Sequence, residues 1–376
     1  MKYVKYGIIG LGIVWLYHIR ATKNSPKIKY VSAFDINEKI AKRIARKYKM
    51  DYFTDLDKFL KSDIDAVLIM VPHYLHEEMV IAAAEAGKHV LCEKPMATTL
   101  EGCDQMIKAT NKAGVKFMIA ENHRFLPAHK YIRDAIQNGL IGNVFLIRAY
   151  EGVNEIEGLM KKGFWKGHPI KAGGGSLIDM GAHKFATMNW ILNDEVESAY
   201  SWITKQCTTL QEKAEDNAMT FLKFKKGTIA DIVLSFTVQS TLNNQIELFG
   251  TKGSILEDHL REKPVKIFSH HEAMGKNIGK WYEPDIEHGP YPKYYDISMR
   301  IEDEYFTDCI LEDKDPEFTP EQAREAIATV LMGYLSAKRG IVVTRDDLME
   351  VYKKEGTKSI LEGLENYVQN NYYERL

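Results

Sequence analysis

Cysteine is scarce in this sequence. Its four cysteines, Cys92, Cys103, Cys207 and Cys309, lie far apart, with no C-x-x-C pair and no Cys/His cluster at zinc-ligand spacing. That excludes a disulfide framework as the source of stability; it leads us to expect no metal and reduced thiols in the cytoplasm. A surplus of charge is lacking too. Fifty basic against 52 acidic residues leave a formal charge of -2, so no global field recruits nucleic acid or an anionic membrane, and any anion must be met locally. No uninterrupted apolar stretch reaches the ~20 residues that a membrane helix requires. Residues 1–19 do resemble the charged and apolar parts of a secretory leader, but Arg20, Ala21, Thr22 and Lys23 offer no small-x-small cleavage site. Internal repeats are also missing.

What is present is a globular chain. Hydrophobic residues at 45% and charged residues at 27% suit a soluble folded protein, and 376 residues exceed what one core usually serves, so two domains are expected. Short apolar runs at 3–9, 28–34, 66–71, 89–92 and 116–120 read as buried strands, with helical spacing between them at 13–22, 39–48, 76–86 and 100–113. Such alternation implies a parallel sheet covered on both faces. After residue 124 the rhythm changes. A helix at 127–138 leads into runs at 144–152, 197–204, 218–224, 228–237 and 245–249, which lack intervening helices and predict a largely antiparallel sheet. Residues 257–295, rich in Pro, Gly, His and aromatics, read as a long irregular excursion. Helical periodicity returns at 301–311 and at 320–338, where Thr319 and Gln322 offer a capping box; the tail from 345 reads as charged, helical and peripheral. The chain is thus expected to be α/β, with domains at 1–124 and 125–376.

The first strand ends in Gly7-Ile8-Ile9-Gly10-Leu11-Gly12-Ile13-Val14-Trp15. Gly10 and Gly12 match the first two positions of a dinucleotide fingerprint, one permitting the tight turn and the other letting the backbone approach a pyrophosphate. Trp15 stands at the third, where a small residue normally allows close helix packing; it must push the helix away or point into space that the fold provides. The loop follows a strand and opens a helix, whose free N–H groups favour a phosphate. Asp35, at the end of the second strand, can accept hydrogen bonds from ribose hydroxyls, which favours NAD; Lys39 or Arg43 nearby could soften its repulsion of the NADP phosphate. A glycine turn with a helix-capping Asp, binding no nucleotide, is the plainer alternative.

Glu93-Lys94-Pro95 follows the fourth run, where open α/β sheets place their ligands. Pro95 fixes its own φ and restricts Lys94, so the backbone sets the direction of the lysine. Beside a positive nicotinamide ring its ammonium form is disfavoured, which suits a proton carrier; otherwise it is a solvated surface lysine. In the second half, 173–183 reads Gly-Gly-Gly-Ser-Leu-Ile-Asp-Met-Gly-Ala-His. If helical, it puts Asp179 and His183 four apart on one face, a carboxylate orienting an imidazole that takes a hydroxyl proton. A core histidine with a structural partner fits the same spacing.

Together, residues 7–12, Asp35, Glu93-Lys94-Pro95, Glu121-Asn122-His123-Arg124-Phe125 and the GGG-x-L-x-D-x-G-x-H run resemble the glucose-fructose oxidoreductase, inositol dehydrogenase and rhizopine catabolism (Gfo/Idh/MocA) oxidoreductases, over at least residues 3–256. The resemblance implies an N-terminal Rossmann domain, a doubly wound parallel sheet, followed by a C-terminal α/β domain on an open, mostly antiparallel sheet. It implies NAD, with NADP possible, in a bed of Gly10, Gly12, Ile13, Asp35, Pro72, His76, Glu93 and Asn122, and Lys94, Asp179 and His183 as catalytic residues. It further implies a homodimer or homotetramer. Trp15 and Ala186 depart from the family pattern. The expected reaction is hydride transfer between nicotinamide and a secondary hydroxyl or ketone of a sugar, sugar derivative or polyol. Arg124, Trp165, Lys166, His168, His123 and the 270–295 segment are candidate substrate contacts, each as readily a surface residue when taken singly. Two rivals stay open: a glycoside hydrolase or lyase using NAD for transient oxidation, and a non-catalytic NAD-linked sensor.

Overall fold

The computed structural model describes residues 2–161, 163–206, 214–240, 243–289, 292–364 and 367–368; Cys207 and the end of the C-terminal tail lie outside the described residues. The chain forms two compact units, Met1–Asn122 with Tyr295–Arg324, and His123–Tyr294 with Glu325–Leu376. It therefore returns to the first unit after building most of the second.

Six strands form the sheet of the first unit: β1 (Val4–Ile9), β2 (Ile28–Phe34), β3 (Asp51–Phe53), β4 (Ala66–Ile69), β5 (His89–Glu93) and β6 (Phe117–Ala120). They run in the order β3-β2-β1-β4-β5-β6, with parallel pairing throughout. This is the Rossmann order, and it reverses direction beside β1. Ile8, Ile9, Val67, Leu68, Val90 and Leu91 are all buried, as central parallel strands with helices on both faces require. The three-residue β3 and the helix Leu56–Leu60 were not legible, being too short to carry a period.

The second unit holds β7 (Val144–Gly152), β8 (Val196–Thr204), β9 (Asn217–Phe224), β10 (Ile229–Ser235), β11 (Asn243–Gly250), β12 (Gly253–Asp258), β13 (Val265–Ser269), β14 (Trp281–Tyr282) and β15 (Val343–Thr344). Their order is β14-β13-β12-β11-β7-β10-β9-β8-β15; β7 and β10 pair in parallel, and the other pairings among the described strands are antiparallel. In β9, Ala218, Thr220, Leu222 and Phe224 are buried while Met219 and Phe221 are exposed, the alternation of a sheet with one face on the core. The short helix Ser176–Asp179 lies against β9 and β10 on the buried face.

One expectation is corrected here. Residues 257–295 are not a single irregular excursion, because they contain the end of β12, all of β13 and β14, and the first turn of a helix. Strands of five and two residues, set among Pro264, His270 and Gly279, leave too short an alternation to stand out. That helix, Lys293–Glu312, starts well before residue 301. At Thr319 one half of the expected capping box is seen, Gln322 N donating to the Thr319 hydroxyl at 3.4 Å.

Candidate functional site

The glycine loop leaves β1 where the strand order reverses. Gly10 has φ +92°, and a Cβ there would lie 2.5 Å from the Met70 carbonyl oxygen, so only glycine lets the turn pass the end of β4. A Cβ on Gly12 would meet nothing within 4 Å, which leaves the backbone open to a ligand. Asp35 pins this loop: its carboxylate accepts from Leu11 N at 3.0 Å and from Asn37 N at 2.8 Å. Each oxygen keeps acceptor capacity for a ribose hydroxyl. Trp15 resolves the departure at the third position by turning inward; it is 2% exposed and meets the Tyr48 ring edge-on at 5.1 Å. Ile13 and, beside Asp35, Ile36 are exposed, the latter by 86%. An uncovered apolar side chain at that place suits the face of an adenine, and it carries no motif signal in the sequence. The cradle, the open backbone and the ready carboxylate fit a dinucleotide.

At the end of β5, Glu93 is the hub of a buried chain. One carboxylate oxygen accepts from Lys94 N at 3.1 Å, and the other meets His18 Nε2 at 3.1 Å. His18 Nδ1 faces both oxygens of Asp303 at 2.9 and 3.0 Å. Burial alone would lower the His18 pKa, but Asp303 and Glu93 outweigh it and hold it well above the ordinary imidazole value. Both His18 ring nitrogens thus face carboxylates, which favours its protonated form, and Glu93 so held fixes the Lys94 backbone. Nothing in the order of the chain linked His18, Glu93 and Asp303. His76 braces the same turn, with Nδ1 2.8 Å from the Pro95 carbonyl and Nε2 2.9 Å from that of Val71. Asn122 donates to the Ser298 hydroxyl at 3.1 Å, and Pro72 is half-buried. Glu93, His76 and Asn122 are thus each bonded to protein groups, while Gly12, Ile13 and Asp35 present accessible surface.

The second unit positions Asp179 and His183 by a glycine turn packed without slack. A Cβ on Gly175 would overlap the Glu215 carbonyl, and Gly175 N and Leu177 N both donate to one Glu215 carboxylate oxygen at 2.9 Å. The Tyr334 hydroxyl donates to the same oxygen at 2.8 Å. Burial pushes the Glu215 carboxyl up to about 7, against the opposing effect of these donors. The linkage has a definite sign. Because the folded pKa exceeds the ordinary 4.5, the contribution of Glu215 to stability is complete below 4.5 and is lost as pH rises toward about 7, by up to ~1.4 kcal/mol per pH unit. Glu215→Gln is expected to flatten that slope. Denaturant melts at pH 5 and pH 7.5 check it, and parallel slopes in both proteins would remove Glu215 as the cause.

From this turn the chain runs through Ser176–Asp179 and, past Met180, into the helix Gly181–Leu192. Asp179 accepts from Lys166 Nζ at 3.1 Å, so the structure joins a proposed substrate contact to a proposed catalytic carboxylate. His183 is buried, its ring stacked on His123 at 4.3 Å and 14°. Trp165 and Lys166 share one helical turn; His168 caps the next, its Nδ1 accepting from Ile170 N and Lys171 N at 3.3 and 3.4 Å. Arg124 is buried with its guanidinium 5.1 Å from the centre of the Trp190 ring, on which Arg133 also lies. Lys184 is fully buried beside His183, bonded to Asn244 and 3.8 Å from Glu151. Its one signal in the sequence is a lone charge inside an apolar helix.

Comparison with known proteins agrees with this geometry. Residues 4–121 match the family described as the GFO_IDH_MocA oxidoreductase family with NAD-binding Rossmann fold, and residues 129–256 match the GFO/IDH/MocA C-terminal domain. The chain is 35% identical over 218 residues to the 1,5-anhydro-D-fructose reductase of Ensifer adhaerens, covering 57% of this chain and 63% of that relative. It is 30% identical over 268 residues to the myo-inositol 2-dehydrogenase of Thermotoga maritima, covering 70% and 78%. In fold it is similar to a levoglucosan dehydrogenase solved with NADH, with a TM-score of 0.82 and 22% identity over 91% of this chain and 99% of that one.

Proposed function

Because the chain belongs to the Gfo/Idh/MocA oxidoreductases, we propose that it moves a hydride between NAD and a secondary hydroxyl or ketone of a sugar, sugar derivative or polyol. The observation that carries this is the glycine cradle at the strand reversal, with Asp35 hydrogen-bonded across it. Bound there, NAD supplies the hydride acceptor. In the oxidation direction His183 or Lys94 would take the O–H proton of the carbinol as its C–O becomes C=O, NAD when bound being the acceptor of the hydride. Asp179, bonded to Lys166, orients that end of the reaction, and Arg124, Trp165, Lys166 and His168 are the proposed contacts for the remaining hydroxyls. The curated relatives are named for a reductase of an anhydro-ketose and a dehydrogenase of a cyclic polyol, which favours a polyhydroxylated ring as substrate.

Asp35 and Ile36 favour NAD over NADP, since one is anionic and the other offers no cation to a 2′-phosphate. Asp35→Asn keeps an acceptor for Leu11 N and removes the charge. It is expected to shift the NADP-to-NAD affinity ratio about tenfold toward NADP, the loss of one charge-assisted hydrogen bond. Fluorescence titration with both cofactors reads this, and an unmoved ratio takes Asp35 out of cofactor recognition. Nicotinamide content after purification separates the reading from transient oxidation, which requires a retained cofactor and turnover without added NAD.

Three buried free cysteines, Cys92, Cys103 and Cys309, fit a reducing compartment, and we read the enzyme as cytoplasmic. Among the described residues no helix is long and apolar enough to cross a membrane. On the outer face of the second sheet, Trp202, Met219, Phe221 and Ile229 are each at least 41% exposed, an apolar surface that supports assembly into a homo-oligomer.

A further inference from the structure

We propose that His129, Glu257 and His259 form a binding site for a divalent transition metal of the zinc class, within the second unit. These residues come from the helix Pro127–Gln137, the end of β12 and the residue just beyond it. One ligand atom from each lies within 4.8 Å of the other two. Glu257 Oε1 is 2.9 Å from His259 Nδ1 and 3.5 Å from His129 Nε2. All three side chains are at least 97% buried.

The protein alone leaves this cluster unfinished. Glu257 Oε2 is buried without a hydrogen-bond partner, and His129 Nε2 has only the long 3.5 Å contact to Glu257 Oε1; buried polar groups are rarely left so. An orphaned carboxylate oxygen beside an under-satisfied imidazole nitrogen calls for a cation. The ring orientation agrees: His129 Nδ1 donates to the His123 carbonyl at 2.8 Å, so a neutral ring presents its Nε2 lone pair on the Glu257 side. A backbone carbonyl on the far ring nitrogen is the usual outer support of a metal-binding histidine. The backbone of His259 is held in turn, its carbonyl accepting from His288 Nε2 at 2.7 Å. Buried Lys184 lies 3.8 Å from the carboxylate of Glu151.

Two imidazoles and one carboxylate suit zinc, whereas magnesium and calcium prefer oxygen donors. Three protein ligands leave a fourth position for water or for His123, whose ring stands edge-on to those of His129 and His259 at 5.6 and 5.4 Å and whose Nδ1 is also buried without a partner. The metal would tie the helix Pro127–Gln137 to the end of β12, independently of what the enzyme oxidises.

The test uses the untagged full-length protein, stripped with a chelator and reloaded with zinc or cobalt(II). Elemental analysis after gel filtration is expected to show roughly one zinc per chain in the wild type and a loss of about tenfold in Glu257→Gln, whose folding is checked by circular dichroism. Should that variant not fold, His259→Cys with cobalt(II) decides the matter, because a thiolate ligand adds a sulfur-to-metal charge-transfer band absent from the wild type. Wild-type protein that retains no zinc overturns the proposal, as does a folded Glu257→Gln that binds zinc like the wild type or a His259→Cys cobalt spectrum without that band.

Discussion

Lys94→Met is expected to lower turnover by on the order of 10²–10⁴-fold, the usual worth of a positioned acid or base, while NAD affinity stays unchanged. Methionine keeps the length of the apolar stem and removes only the ammonium group. The backbone should not respond, because Lys94 N remains bonded to Glu93 and His76 still braces the Pro95 carbonyl. Steady-state kinetics with NAD titration read the result. Equal losses in kcat and kcat/KM would mark an interaction made only in the transition state. Wild-type turnover would return Lys94 to the role of a solvated surface lysine.

His183→Asn is expected to produce a loss of similar size, on the order of 10²–10⁴-fold in kcat. Here the structural alternative is stronger, since His183 is buried and stacked on His123, so the variant is also expected to melt somewhat lower. The split between kinetic parameters separates the two roles. Loss of a proton acceptor lowers kcat in the fraction that remains folded, whereas a purely structural histidine lowers only that fraction, leaving kcat per folded, NAD-binding site intact. A folded variant with wild-type kcat would sink the assignment.

Why some of this was legible along the chain and some was not follows from range. β1 was readable because a central parallel strand buries both faces, and β2 because its second half, Ser32–Phe34, is buried; the runs at 3–9 and 28–34 are accordingly mostly apolar, broken only at Lys5, Lys29 and Ser32. Gly10, Gly12 and Asp35 were readable because a strand, a turn and a helix start place them within one local unit. β13 was not, since Val265–Ser269 alternates for only five residues before His270. Nor does the periodicity of Lys293–Glu312 say which sheet it serves, and with it went the link from His18 to Asp303, 285 residues away. Glu215 showed no sign of its role, because its partners Gly175, Leu177 and Tyr334 are met only in the fold. His129 and Glu257 were missed for the same reason. Spacing rules for metal ligands describe local loops, and a cluster assembled from a helix and a distant strand end has no spacing to recognise.

Net transfer of hydride between NAD and a polyhydroxylated ring is read by incubating the purified protein with NAD and a panel of inositols, anhydro-sugars and aldoses while following reduced nicotinamide. Steady accumulation of NADH is expected with at least one member of the panel, dependent on added NAD and lost in Lys94→Met. Conversion of a sugar by the wild-type protein without added NAD and without accumulating NADH would contradict it, and would place the enzyme among those that oxidise their substrate only in passing.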